Sequence, residues 1–191
     1  MKRKVVLPLL PVVWLLLVIP AVGDGNGNVS GHSGARWLNG ISTGVLAHDV
    51  GNLWSGAHTE DGIDLNAEVT FAQPAFAFLS GTIRPNLGVT VNDRGNTSKL
   101  YTGVIWEFDI LFGMFINVGV GAALHNGELE AGVDDKKGLG SRVLFRIPIE
   151  VGFALNKHHR LSVAFAHASN AYLADPNEGL DTLGLRYGYR F

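Results

Sequence analysis

Apolar residues recur at every second position in five separate stretches of this chain, and a period of two dictates strands rather than helices. In GIDLNAEVTF, Ile63, Leu65, Ala67, Val69 and Phe71 alternate with Asp64, Asn66, Glu68 and Thr70. In IRPNLGVTVN, Ile83, Pro85, Leu87, Val89 and Val91 alternate with Arg84, Asn86, Gly88, Thr90 and Asn92. KLYTGVIWEFDI sets Leu100, Val104, Trp106, Phe108 and Ile110 against Lys99, Gly103, Glu107 and Asp109. MFINVGVGAAL and VLFRIPIEVGFAL repeat the pattern, the second with Arg146 and Glu150 on its polar side. Two further strands are predicted near 160–170 and 180–191 and a weaker one near 42–49, for about eight in all. Pro85 and Pro148 cannot donate to a ladder, so each marks a local irregularity within the pattern.

The alternation can be read two ways. A soluble sandwich buries its apolar set, whereas a membrane barrel turns that set to lipid and keeps polar and small residues inside. Mean hydropathy is slightly positive, yet past the N-terminus no apolar run reaches the ~20 residues of a transmembrane helix. The polar set carries both signs: Asp64, Glu68, Arg84, Glu107, Asp109, Arg146, Glu150, Arg186 and Arg190. Mixed charges interleaved with small residues suit the filled interior of a narrow barrel. Together these observations predict an eight-stranded antiparallel transmembrane β-barrel.

The first residues agree with export. Lys2, Arg3 and Lys4 precede the apolar run Val5 to Pro20, and Ala21, Val22 and Gly23 offer small residues for cleavage, so residues 1–23 read as a secretory signal peptide. Residues 24–41 read as an N-terminal leader, small and polar over 24–36, and 42–191 as the barrel. Removing residues 1–23 takes away three of the 15 basic residues and none of the 17 acidic ones, leaving a formal charge of −5. Such a chain makes nucleic acid a poor partner. The absence of cysteine excludes disulfides and thiolate metal sites.

At the other end, Leu183, Leu185, Tyr187, Tyr189 and Phe191 share one face of LGLRYGYRF. A terminal aromatic closing an alternating strand resembles the C-terminal signal of bacterial outer-membrane barrels. Alternate connections are long, 50–61, 125–140 and 171–179, with DRGNTS shorter, while DILFG and NKHH are short. Long connections belong outside the cell, so the strand near 160–170 runs outward. The apolar connection 73–82, QPAFAFLSGT, is long for a periplasmic turn and has no account in this pattern.

Within that seventh strand the apolar face is interrupted. Leu161, Val163 and Phe165 are followed at the same parity by His167 and Ser169, and on the last strand Asp181 shares parity with Leu183 and Leu185. A hydroxyl, an imidazole and a carboxylate are thus expected on the lipid-facing rim of adjacent strands, where polar groups are expensive and are functional candidates by default. The chemistry that needs this trio is acyl transfer: His167 as base activates Ser169 as nucleophile, and the carboxylate holds the imidazole. Asn170 is a candidate oxyanion donor. Taken alone, H-x-S also fits an interfacial strand end with no chemistry.

HASNAYLADPNEGLD resembles the signature of the PagL family of outer-membrane lipid A 3-O-deacylases: H-x-S-N-x-x-L, then P-N-x-G and an acid. The detailed likeness covers about 25 residues, up to the C-terminus. It implies an eight-stranded barrel in the bacterial outer membrane whose Ser-His-acid triad faces the membrane. Residue by residue it implies His167 as general base, Ser169 as nucleophile, Asn170 as an oxyanion or site-ordering residue and Asn177 as a second. The acid falls on Asp181, where the best-known member has Glu; Glu178 and Asp175 are rivals. Tyr172 stands where that member has Gly. The implied activity is hydrolysis of the 3-O-linked acyl chain, without metal or organic cofactor. The implied partners are lipid A or lipopolysaccharide in the outer leaflet and the membrane itself, with a homodimer as an alternative to a monomer. A non-catalytic eight-stranded barrel of binding or structural type is the alternative function, and acyl transfer between lipids a third.

Four other features are weaker. The G-x-G spacing near 118–123 lies inside a strand rather than in a strand–turn–helix and does not indicate a nucleotide site. His32, His48, His58, His125, His158 and His159 have no metal-ligand spacing. Trp37, Trp54 and Trp106 read as interface-girdle residues, and ELEAGVDDKKG as a charged outer loop suited to a cation or a lipid phosphate.

Overall fold

A computed structural model describes residues 37–191 apart from 57, 73, 133 and 134. The expected signal peptide and the 24–36 part of the expected leader lie outside the described residues. The strands are β1 (Leu38–Ala47), β2 (Ile63–Phe71), β3 (Phe76–Phe78), β4 (Gly81–Asn92), β5 (Lys99–Asp109), β6 (Met114–His125), β7 (Val143–Ala154), β8 (His159–Ser169) and β9 (Leu180–Arg190). Consecutive strands pair antiparallel except β2 and β3, which both pair with β4, and β1 pairs with β9. Eight strands therefore close an antiparallel transmembrane barrel.

The ninth, β3, is the connection the alternation left unexplained. Its three residues pair with the start of β4 and continue the line of β2, which ends at Phe71. β1 begins at Leu38, inside the stretch expected as leader, and its first rung is to Phe71 at the end of β2.

Both strand prolines sit where a ladder is interrupted. Pro85 lies between the last β2–β4 rung, Thr70 to Asn86, and the first β3–β4 rung, Phe76 to Ile83. Pro148 lies in the gap of the β6–β7 ladder between the rungs Val118–Ile149 and Gly121–Arg146. A residue without an N–H is tolerated where no partner awaits one.

The interior is polar and the outside apolar. Val45, Leu65, Val120, Leu124, Phe145, Phe153, Val163 and Leu185 are exposed, while Asn66, Glu68, Asn86, Arg146 and Arg186 are buried. Buried charges are paired, as they must be. Arg186 meets Glu68 at 2.9 Å and Glu150 at 3.3 Å. The Arg146 guanidinium lies 3.8 Å over the Tyr101 ring, whose hydroxyl accepts from Asn66 at 2.8 Å. Tyr101 fits because its opposite neighbour is Gly88, where a Cβ would come within 2.4 Å of the phenol ring. Of the expected interior charges Asp109 is the exception, exposed at the last residue of β5.

Three long connections, 48–62, 126–142 and 170–179, and the shorter 93–98 gather at one end of the barrel. The turns at 110–113 and 155–158 and the C-terminus gather at the other. Loop 126–142 is tied to 170–179, with Glu178 N–H donating to the Gly138 carbonyl at 3.2 Å and Glu178 Oε2 accepting from Gly138 N–H at 2.5 Å. Loop 48–62 folds down over the outer ends of β8 and β9.

Candidate active site

Strand register brings the imidazole and the carboxylate of the trio together. His167 on β8 lies directly opposite Asp181 on β9, and Ser169 follows His167 by two residues on the same face. His167 Nδ1 is 2.7 Å from Asp181 Oδ1, and Nε2 is 2.9 Å from Ser169 Oγ. A carboxylate can only accept, so Nδ1 carries the proton and Nε2 presents its lone pair to the serine hydroxyl. That is the tautomer a general base needs.

All three side chains leave the barrel wall on the side the parity predicts, yet they are not bare. Asp181 is fully buried and His167 is 8% exposed. The cover is loop 48–62. The Trp54 indole stacks on the His167 ring, centroids 4.8 Å apart, and on Phe165 at 6.4 Å. The backbone N–H groups of Trp54 and Ser55 both donate to Asp181 Oδ2, at 2.6 and 2.7 Å. Val50 N–H donates to the Asp181 carbonyl at 2.9 Å. One carboxylate oxygen thus serves the imidazole and the other holds the loop. Trp54 and Ser55 are site residues that the alternation could not reveal, because they lie 127 and 126 residues from Asp181 in a loop without period. An indole beside a polar run was the sole hint.

The rival acids point elsewhere. Glu178 is engaged with Gly138 N–H, and Asp175 makes no hydrogen bond to His167. Asn170 is buried and ties loops together: its Nδ2 donates to the carbonyls of Leu139 at 3.0 Å and Pro176 at 2.8 Å. With both amide protons engaged, Asn170 has none left for an oxyanion. Its backbone N–H donates to Asn177 Oδ1 at 2.9 Å, so the Asn177 amide nitrogen is not used in that contact, and Asn177 lines the groove beside the triad. Ala171 and Tyr172 both take positive φ, 54° and 60°. Tyr172 therefore adopts the left-handed backbone that glycine reaches more easily, at a cost of about 1 kcal/mol or more. Among the described residues neither the Ala171 nor the Tyr172 N–H has an acceptor within the chain.

A groove of about 420 Å³ opens beside Ser169 and His167. Ala171, Tyr172 and Asn177 line its polar end, and Val120, Phe145 and Ile147 on the outer wall of β6 and β7 line its apolar end. Phe145 is the β7 residue opposite Ser169. The groove is shaped for a long apolar group whose polar head reaches the hydroxyl. Among the described residues no cluster of three or more histidines and carboxylates is arranged to hold a metal ion.

The position of Asn170 depends on Gly140. Gly140 has φ of +66°, and a Cβ there would meet Pro176 O at 2.1 Å and Asn170 Nδ2 at 2.6 Å. Gly140→Ala is expected to displace Asn170 and loosen loop 170–179 while the barrel stays closed. Limited proteolysis in detergent should cut that loop faster in the variant, with heat-modifiable gel mobility unchanged. An unaltered cleavage rate would sink the assignment.

The family described as lipid A 3-O-deacylase (PagL) matches residues 26–190. A lipid A deacylase PagL of Bordetella bronchiseptica is 36% identical over 77 residues, 40% of this chain and 41% of that protein. The match thus spans less than half the length of that curated relative. Among solved structures, the crystal structure of the outer membrane enzyme PagL superposes with a TM-score of 0.59 at 22% identity, covering 80% of this chain and 99% of that one. Neisserial surface protein A gives a TM-score of 0.53 at 10% identity, covering 80% and 96%. At these identities the superpositions speak for the fold.

Proposed function

The chain belongs to the lipid A 3-O-deacylase (PagL) family, and on that premise we propose that it is an outer-membrane esterase that hydrolyses the 3-O-linked acyl chain of lipid A through Ser169, His167 and Asp181. Ser169 Oγ attacks the ester carbonyl carbon as its proton moves to His167 Nε2. Asp181 balances the imidazolium that forms. The oxyanion draws on the free N–H groups of Ala171 and Tyr172 and on the Asn177 amide, while Asn170 orders the loop that carries them. Collapse of the tetrahedral intermediate expels the lipid A 3-oxygen, which takes the proton from His167. Water, deprotonated in turn by His167, then cleaves the acyl-enzyme and releases the 3-hydroxy fatty acid.

The observation that carries the reading is the direction the site faces. Its nucleophile opens onto the lipid side of the barrel wall, beside an apolar groove. A substrate for such a site is itself a membrane lipid. An ester-linked acyl chain laid along Val120, Ile147 and Phe145 brings its carbonyl to Ser169.

The test is the mass of lipid A incubated with the purified protein in detergent micelles. The expected result is loss of one 3-hydroxyacyl chain and appearance of the free acid. An unchanged mass with folded protein would favour the non-catalytic barrel, and an added acyl chain would favour transfer between lipids.

A further inference from the structure

Six ionisable side chains outside the triad are buried together beneath loop 48–62. His48, Asp49 and Glu60 belong to that loop, Asp64 to β2, Lys99 to β5 and Lys137 to loop 126–142; none of these side chains is more than 5% exposed. Asp49 Oδ2 accepts the N–H groups of Thr59 at 2.6 Å and Glu60 at 2.9 Å, joining the two legs of the loop. Glu60 accepts from Thr97 N–H and hydroxyl at 3.0 and 3.1 Å and from Lys137 N–H at 3.2 Å, joining three loops. Lys137 Nζ reaches Asp49 Oδ1 at 2.6 Å and Ser55 Oγ at 3.4 Å. Ser55 is also one of the two residues whose N–H groups hold Asp181.

The charge of His48 follows from its partners. Nδ1 is 2.7 Å from Asp64 Oδ1 and Nε2 is 2.9 Å from Glu60 Oε2. A neutral imidazole has one N–H and would set a lone pair against one carboxylate, whereas the imidazolium donates to both. The cluster otherwise holds three carboxylates against two ammonium groups, and cationic His48 balances it. Burial works to lower the His48 pKa, but the hydrogen bonds to Asp64 and Glu60 outweigh it and raise the value above the ordinary imidazole range. Burial likewise works to raise Glu60, and the donors from His48, Thr97 and Lys137 bring it down to about 2.

We propose that cationic His48 and Lys137 are positioning residues for the triad: they lock loop 48–62 in the one conformation in which Trp54 and Ser55 grip Asp181. This rests on the esterase reading. Neither residue touches substrate. Each acts through the loop, since Asp181 can present Oδ1 to His167 in a fixed orientation only while Oδ2 is held by the loop's two amides.

Facing His48 are Glu60 of its own loop, Asp64 of β2 and Lys99 of β5, with Asp49 and Lys137 next in the cluster. A raised folded-state pKa means that the contribution of His48 is complete below the unfolded value and is lost as pH rises through the folded value. With the carboxylates of the cluster ionised, the lock is therefore closed below the raised His48 value and opens on the alkaline side.

The experiment uses the full mature chain in detergent micelles, with lipid A as substrate and proton NMR of the hydrogen-bonded His167 Nδ1–H as a reading that needs no substrate. Lys137→Met is expected to lower kcat about 10- to 100-fold, as small displacements of catalytic groups do, with a smaller change in KM because the apolar wall of Val120, Phe145 and Ile147 belongs to β6 and β7 and not to the loop. The His167 proton should broaden or shift upfield, and Lys137→Arg should restore most of both readings. His48→Gln is expected to remove the alkaline limb of loop locking, read as a pH-dependent rise in proteolysis of loop 48–62 that the wild type has and the variant lacks. A Lys137→Met protein with wild-type kcat and an unshifted His167 proton would overturn the proposal and leave the cluster a plug for the barrel mouth. Should the wild type fail to cleave lipid A, the NMR and proteolysis readings still decide the lock, so the two ideas fail separately.

Discussion

Ser169→Ala is expected to reduce deacylation by about 10⁶-fold in kcat, the scale on which triad hydrolases lose their serine. The barrel should be unaffected. Ser169 is the last residue of β8, and its Oγ meets His167 Nε2. Removing it leaves the Asp181–His167 pair intact and takes nothing from the barrel interior, so stability should change by less than about 0.5 kcal/mol. The measurement is release of 3-hydroxy fatty acid by mass spectrometry, alongside heat-modifiable mobility. Activity within a hundredfold of wild type in folded Ser169→Ala protein would remove Ser169 from the mechanism and turn attention to a water nucleophile.

Asp181→Asn is expected to cost about 10⁴-fold in kcat, as replacement of the acid does elsewhere by imposing the wrong histidine tautomer. Here the loss has a second cause. Asp181 must accept on both oxygens: Oδ1 from His167 Nδ1–H, and Oδ2 from Trp54 and Ser55 N–H. An amide offers one acceptor and one donor. With its NH₂ toward His167 it forces the proton onto Nε2, where the base can no longer take one from Ser169. With its NH₂ toward the loop it opposes two N–H groups and lifts Trp54 off the imidazole. Asp181→Glu keeps both acceptors but carries the carboxylate one methylene farther, into the loop that already holds it. It should recover part of the activity and not all. Equal rates for Asp181→Asn and wild type would return Glu178 and Asp175 to consideration as the acid.

Part of the site is legible in the amino-acid sequence. Alternation puts His167, Ser169 and Asp181 on one face, and the P-N-x-G run marks a loop beside them. Asn170 is legible as a position and not as a partner: which carbonyls it serves depends on loop 126–142, some 30 residues away, and on Gly140. Loop 48–62 is not legible. Trp54 reads as a girdle residue and His48 as a histidine without ligand spacing, because each takes its role from residues on other strands and loops: Asp181 and His167 for the first, Asp64 and Glu60 for the second. Likewise β3 has apolar residues too few to set a period, and it exists as a strand because the start of β4 offers it a free edge.

What the amino-acid order determined by itself was local. Side chains alternate across a strand whatever its neighbours do, so the division of each strand into an apolar and a polar face, with His167, Ser169 and Asp181 on the apolar one, followed from period alone, and the mixed charges of the polar set marked that set as the interior. What tertiary structure decided was register and cover. Sliding β9 by two residues along β8 would keep every side chain on its proper face and still set Asp181 opposite Phe165 or Ser169 instead of His167; parity cannot tell these registers apart. Closure of eight strands with the interior pairs Arg186–Glu68 and Arg186–Glu150 satisfied selects one. Only in that register do the carboxylate, the imidazole and the amides of a loop more than 100 residues away in sequence meet at hydrogen-bonding distance.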